Sequence, residues 1–418
     1  MTESAREPLD ALFRRSSAAL VATLTRAFGP ARLDLVEAVV QDAFVRALQE
    51  WDPVPPANPS GWLLSVARNL AVDQIRRERT FASKESEIVH AIESSASAAA
   101  SRDFAEGGRA VSLAGEIADD HLRMIFVTCH PANTVPSQVV LALRTLCGLD
   151  VPAIARALYT TQDAIEKRLV LARRRLREAG VTFDLPPPDE LASRLDAVLS
   201  VLYLMFNEAY CGTTGPDVVQ EDVAVEAIRL ASFLAACPRT SAPRVLALLA
   251  LMHFHASRFP ARRDADGHPL ALSEQDRSRW DQRHIAAGLR CLSAAATGDS
   301  VSRYHCEAAI AALHATSPSF DDTRWPEIVA YYDQLAALSP SARLARAIAV
   351  GFRDGPAAAL SELDAIQEEA GELSGYHAAR GDAYDRLGRT AEARAAYTEA
   401  RARATSEHER RYYDRRLA

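Results

Sequence analysis

Between Gly61 and Arg79 the chain reads GWLLSVARNLAVDQIRRER, and its polar residues are an unusual set for a solvated surface. Arg68, Asn69, Asp73, Gln74, Arg76 and Arg77 mix guanidinium groups with carboxamides. Guanidinium neutralises phosphate, and a carboxamide exchanges hydrogen bonds with a base edge. Trp62 offers an aromatic face on which an unpaired base can stack. These groups together could hold a nucleic-acid strand. They equally suit an amphipathic core helix with solvated charges and a buried indole, and the stretch alone leaves both readings open.

The element that must position them is a helix. Leu63, Leu64, Ala67, Leu70, Ala71 and Ile75 recur at helical spacing and give it a buried face. A turn rich in proline (Pro53, Pro55, Pro56, Pro59) leads in, with Ser60 as the expected N-cap. Upstream, an amphipathic helix is expected over Leu9–Phe28, stopped by Gly29-Pro30, and a second over Asp34–Trp51. The three make a small helical domain, residues 1–80. Asp34, Glu37, Gln41, Asp42 and Arg46 fall on one polar surface of its second helix, which plain solvation would also explain.

A second cluster of cations lies further on. Helices are expected over Ser137–Leu146 and Val151–Leu158, joined by a turn at Cys147-Gly148-Leu149. Thr160-Thr161 then caps a long helix, Gln162–Glu178. This spacing is that of a helix-turn-helix, with Ala155 as the small residue that lets the helices approach and Ile165 and Leu169 buried. The last helix carries Lys167, Arg168, Arg173, Arg174, Arg175 and Arg177 against Asp163, Glu166 and Glu178. Thr161, Gln162, Ala164 and Lys167 stand where a recognition helix meets base edges, and the Arg173–Arg177 cluster suits phosphates.

Val36–Leu48, VEAVVQDAFVRAL, and the Gly61–Arg77 stretch occur in an order and at a separation that resemble region 2 of extracytoplasmic-function (ECF) sigma factors. The resemblance implies that Asp34, Glu37, Gln41, Asp42 and Phe44 bind core RNA polymerase. It implies that Trp62, Arg68, Asn69, Asp73, Gln74, Arg76 and Arg77 hold the −10 element of promoter DNA. Ala38 stands where that family usually has an acidic residue. The helix-turn-helix resembles the same family's −35 reader, with Thr161, Gln162, Ala164, Lys167, Arg168, Arg173, Arg174 and Arg175 on DNA. Residues 81–115, rich in Ser, Ala and Gly, read as a flexible linker, and residues 116–183 as the second DNA-binding domain. The implied chemistry is binding and strand capture, so no enzyme activity, cofactor or metal is expected.

At 418 residues the chain has room for more, and the Pro186-Pro187-Pro188 boundary opens a long extension. Residues 184–340 read as a helical domain, and 341–418 as tetratricopeptide-like (TPR-like) repeats. Gly381, Tyr384, Gly388, Ala393, Tyr397 and Ala400 fit such a unit, and Ala347, Val350, Asp354, Ala359, Leu363 and Ile366 fit a degenerate copy one period of about 34 residues earlier. The extension resembles that of one ECF subgroup, which implies a built-in regulator binding a protein or peptide. YCII/DGPF-type proteins are genomic neighbours of that subgroup. The whole is expected to be all-α.

The net charge of −7 excludes diffuse affinity for nucleic acid and confines any DNA contact to local basic patches. Six scattered cysteines without a CxxC pair exclude the common zinc spacings and a disulfide framework. With neither a signal peptide nor an apolar span, a cytoplasmic protein is expected. His253 and His255, two apart on an apolar helix, point to different faces and do not suit a shared metal. Arg277, Arg279 and Asp281 with Glu274 read as an ion-pair network. The alternative function is a stand-alone helix-turn-helix regulator with a ligand-binding C-terminal domain.

Overall fold

The computed structural model describes residues 3–51, 56–81, 120–158, 160–211, 221–264, 270–298, 300–337, 340–405 and 407–418. The expected linker falls almost entirely on 82–119, outside the described residues. Every regular element is helical and the described residues contain no strand, as an all-α fold requires. Two compact units are formed, Met1–Met205 and Phe206–Ala418.

The first unit opens with α1 (Glu3–Phe28), α2 (Leu33–Glu50) and α3 (Pro59–Phe81). Gly29 stops α1 with φ 82°, a left-handed conformation that glycine adopts without steric cost, and Pro30 follows. The two helices α2 and α3 pack together, with Val36, Val40 and Ala43 of α2 buried and, of the face the spacing predicts on α3, Leu63, Ala67, Ala71 and Ile75 buried and Leu64 and Leu70 half-buried. One expectation is corrected: Asn58, not Ser60, caps α3. Asn58 Oδ1 accepts from Gly61 N at 3.0 Å, so Pro59 takes the first helical position, where its missing N–H costs nothing. Gly61 is required there, since a Cβ would sit 2.7 Å from the Asn58 amide.

The segment expected to form a helix-turn-helix follows: α4 (described over 120–128), α5 (Val135–Thr145), α6 (Val151–Ala157) and α7 (Gln162–Glu178). Gly148 (φ 65°) makes the turn after α5, and Ala155, Ile165 and Leu169 are buried between the helices. Thr161 caps α7 by accepting from Ala164 N at 3.2 Å. The buried Asn133 ties the preceding loop to α7 by donating to Ala172 O at 3.1 Å. The proline run is shorter as a spacer than expected, because Pro188 already begins α8 (Pro188–Cys211). Early in α8, Arg194 donates to Phe126 O and lies over the Phe126 ring, 6.0 Å from its centroid.

In the second unit α9 (Glu221–Ala236), α11 (Gln282–Ala295) and α12 (Arg303–Thr316) pack around α10 (Pro243–Ala256), whose Leu248, Met252 and Phe254 are fully buried. Gly288 lets α11 approach, as a Cβ there would meet the Phe254 ring at 2.7 Å. His253 and His255 do diverge: Nδ1 of His253 lies 2.9 Å from Nδ1 of His284, while His255 faces Phe206. The expected ion-pair network is not formed as such. Arg277 donates to the carbonyls of His314 and Ser317, the latter at 2.8 Å, and lies over Trp280. Asp281 caps α11, and Glu274 pairs with Arg415 at 2.8 Å. These polar groups satisfy backbone ends left bare between helices, a demand stronger than attraction between exposed charges.

After α13 (Trp325–Leu335) come two helix hairpins, α14 (Pro340–Arg353) with α15 (Pro356–Ala365) and α16 (Ser374–Arg386) with α17 (Thr390–Ala402), before α18 (Glu407–Leu417). Gly355 (φ 101°) and Gly388 (φ 72°) make the two turns. Ala347, Val350, Ala359, Leu363 and Ile366 are buried in the first hairpin, and Gly381, Ala393, Tyr397 and Ala400 in the second. A single helical turn, Gln367–Ala370, separates the pairs.

Candidate nucleic-acid interface

Burial of one face of α3 leaves Asn69, Asp73 and Arg76 exposed and Arg68 and Gln74 half-buried, so the mixed guanidinium and amide surface is real. Gln74 Nε2 donates to Glu78 Oε1 at 3.3 Å, and Arg77 Nε donates to Asp73 O at 3.3 Å. Both bonds lie within α3 and orient side chains without covering them. Trp62 is half-buried and meets the Trp51 ring edge to face, with centroids 5.2 Å apart. Trp51 is a residue that sequence reasoning missed. Its signal was an aromatic placed just before the proline turn that returns the chain to Trp62, a contact that helical periodicity does not encode.

On α2, Asp34, Gln41 and Asp42 are exposed, whereas Phe44 is 5 % exposed and belongs to the core of the domain. Phe44 therefore shapes the α2 surface from beneath. Glu37 is the unexpected residue, a carboxylate only 8 % exposed. Asp34, Asp42, Gln74, Arg77 and Arg177 line one groove, so the polar faces of α2 and α3 meet there.

On α7, Thr161, Gln162 and Lys167 are exposed at the N-terminal end, with Ala164 and Arg168 half-buried beside them. This is the part of a recognition helix that reaches base edges. The arginine cluster divides. Arg174 is exposed and pairs with Glu178 at 2.6 Å, a hydrogen bond that raises its already high pKa. Arg175 is half-buried. Arg173 and Arg177 reach α2 instead: Arg173 Nε is 3.1 Å from Asp34 Oδ1 and its other nitrogen binds Glu37, while Arg177 is 3.0 Å from Asp34 Oδ2. The structure thus gathers the α3 residues on one surface and the first turns of α7 on another. It joins two of the expected phosphate ligands to two of the expected polymerase ligands.

Among the described residues no group of three or more His, Cys, Asp or Glu side chains could hold a metal ion. None of their helices is long and apolar enough to cross a membrane.

Residues 12–81 match sigma-70 region 2, and residues 194–296 match a family of unknown function, DUF6596. No solved structure matches. The sigma-70 region 2 match supports core RNA polymerase and promoter DNA as partners, and it covers all of α2 and α3. Uncharacterized protein R00370 of Rhizobium meliloti (strain 1021) is 38% identical over 384 residues, which cover 91% of this chain and 88% of the relative. With the likeness running through both units, the chain belongs to the same family as that protein, a family to which it brings a sigma-70 region 2 at its N-terminal end.

Proposed function

We propose that the protein is a promoter-specificity subunit of bacterial RNA polymerase, a sigma factor of the ECF kind with a regulatory C-terminal extension. The observation that carries this reading is the sigma-70 region 2 match over residues 12–81, on the segment whose α3 presents guanidinium and amide groups beside Trp62. In this reading α2 docks on core polymerase through Asp34, Glu37, Gln41 and Asp42. Trp62, Arg68, Asn69, Asp73 and Gln74 hold a base taken out of the −10 duplex, with Arg76 and Arg77 on the backbone. Unpairing a base costs a few kcal/mol, roughly what one stacking contact and one or two hydrogen bonds return. The helix-turn-helix would read the −35 element through Thr161, Gln162, Ala164 and Lys167, with Arg168, Arg173, Arg174 and Arg175 on phosphates.

The extension is assigned a regulatory role because it adds a compact unit of its own, Phe206–Ala418, to the segment that carries the DNA-facing residues. Its two hairpins, with glycine turns and a repeated set of buried positions, support a TPR-like reading. Stacked helix pairs of that kind present a concave surface suited to a peptide or protein, and a YCII/DGPF-type protein is the proposed partner class. Run-off transcription with purified core polymerase on a genomic promoter library tests the proposal. Start sites that appear only with this protein and share −10 and −35 elements are expected. Tight duplex binding by the protein alone, without polymerase-dependent initiation, would replace the sigma reading with that of a stand-alone regulator.

A further inference from the structure

Glu37 is buried by residues of the other DNA-binding domain. Its Oε1 accepts from Thr145 Oγ1 at 2.6 Å, and Oε2 binds Arg173 and lies 4.0 Å from Arg144 Nε. One turn earlier, Asp34 takes Arg173 and Arg177, and Arg177 Nε also donates to Ala31 O at 3.2 Å. On another face of the same unit, the buried Asp120 of α4 lies 3.4 Å from Arg26 of α1. Each domain has buried apolar residues of its own, Val36 and Ala43 with Leu63 and Ala67 in one and Ile154 with Ile165 and Leu169 in the other. Separated, Glu37 would be an ordinary solvated carboxylate on α2. Its burial is thus a property of the pairing and not of either domain. Ion pairs of this kind gain attraction and lose hydration in nearly equal measure, so the contact is reversible and sensitive to competing charge.

We propose that Asp34 and Glu37 act as an internal substitute for DNA phosphates, holding Arg173 and Arg177 in a clasp that occupies one domain's polymerase-facing carboxylates and the other's phosphate-binding arginines at the same time. Polymerase and DNA then compete with the clasp: a partner that takes Glu37 releases Arg173, and phosphates that take Arg173 release Glu37. Thr145 belongs to the clasp alone, because its hydroxyl is buried against Glu37 and faces neither partner surface. The assignment of the two surfaces rests on the sigma-factor reading, but the clasp can be tested apart from it.

The test uses the full chain and a mixed-sequence DNA duplex, with binding measured across a series of salt concentrations. Thr145→Val keeps the shape of the side chain and removes the hydrogen bond, while Thr145→Ser keeps the hydroxyl. Loss of one hydrogen bond to a charged group should raise duplex affinity about tenfold in Thr145→Val, with Thr145→Ser near wild type. Glu37→Gln, made from the other side, should raise it as well. The double variant should gain less than the sum, because both changes open one contact. The released forms should also show a steeper salt dependence, by about 0.9 in the log–log slope for each phosphate contact regained. Unchanged affinity and slope in Thr145→Val and Glu37→Gln, with melting temperatures showing both folded, would overturn the clasp. Promoter-dependent run-off by the wild type reports separately on the sigma reading, so a failed clasp with intact initiation is distinct from failed initiation with a duplex affinity that still rises on release.

Discussion

At the residue scale the chain uses missing atoms as deliberately as present ones. Gly381 lies against Tyr397, whose hydroxyl accepts hydrogen bonds from Arg416 at 2.8 and 3.0 Å, so the ring is fixed from the far side. A Cβ at Gly381 would stand 2.9 Å from that ring. Gly381→Ala is therefore expected to destabilise the second unit by about 1–3 kcal/mol despite the better helix propensity of alanine. Urea unfolding followed by circular dichroism checks it. Much at this scale was legible in the sequence. Thr161 was read as a cap and is one, and Gly381, Ala393 and Tyr397 were read as packing positions and are buried. Ser60 was read as a cap because hydroxyls favour that position, yet Asn58 outcompetes it by placing Pro59 first in the helix. The pairing of Glu37 with Arg173 was not legible. The two are far apart in sequence, and the pattern of a helix reports which face is buried but not which distant side chain buries it.

At the element scale, α10 shows what burial does to titratable groups. His255 is held down to about 3, first by burial and then by the charges of Arg258, Arg262 and His314. His253 falls to about 4 through burial and the nearby His284, and His314 of α12 to about 4 through burial with Arg258 and Arg277 close by. In the unfolded chain each titrates near its ordinary value of 6.5. Folding thus favours the neutral rings. Their contribution is complete above that ordinary value and is lost as the pH falls from it towards the folded values. Each such histidine contributes a slope of about 1.4 kcal/mol per pH unit within that window. The urea midpoint of the second unit should fall on acidification below pH 6.5, and His255→Gln should flatten the fall. A midpoint that does not move on acidification would contradict this. Some helices were read from the sequence nearly to the residue, Gln162–Glu178 among them, because apolar spacing and caps are local, whereas α11, α12 and α13 were read only as parts of a helical domain. The use of Arg277 on carbonyls was not legible, since bare helix ends appear only when helices are brought together.

At the scale of the molecule, the boundary between compact units falls inside α8 and not at the proline run before it. Prolines mark where the chain stiffens, which is a local property, whereas the extent of a unit depends on where side chains reach back. Arg194 reaches back to Phe126 in the first unit. A chain ending at Met205 is expected to keep the packing of α4 to α7 intact. One ending at Leu185 should lose on the order of 2 kcal/mol, because Phe126 O loses its charged donor. Unfolding curves of the two truncations decide the point, and equal midpoints would mean that Arg194 adds nothing. The longer truncation is the form in which to ask, by run-off transcription, what the extension does.

The aromatic pairing at the entrance of α3 also has a photophysical side. The chain has four tryptophans, and they divide evenly, Trp51 and Trp62 in the first unit and Trp280 and Trp325 in the second. Trp280 lies beneath the guanidinium groups of Arg258 and Arg277, and Trp325 stacks on Phe352 at 4.6 Å. Trp62 is only half-buried and leans on Trp51. The indole fluorescence of this protein is accordingly composed of one buried indole, Trp280, and three half-buried ones, and a base stacked on Trp62 would dim the Trp51–Trp62 pair while leaving Trp280 as its internal standard.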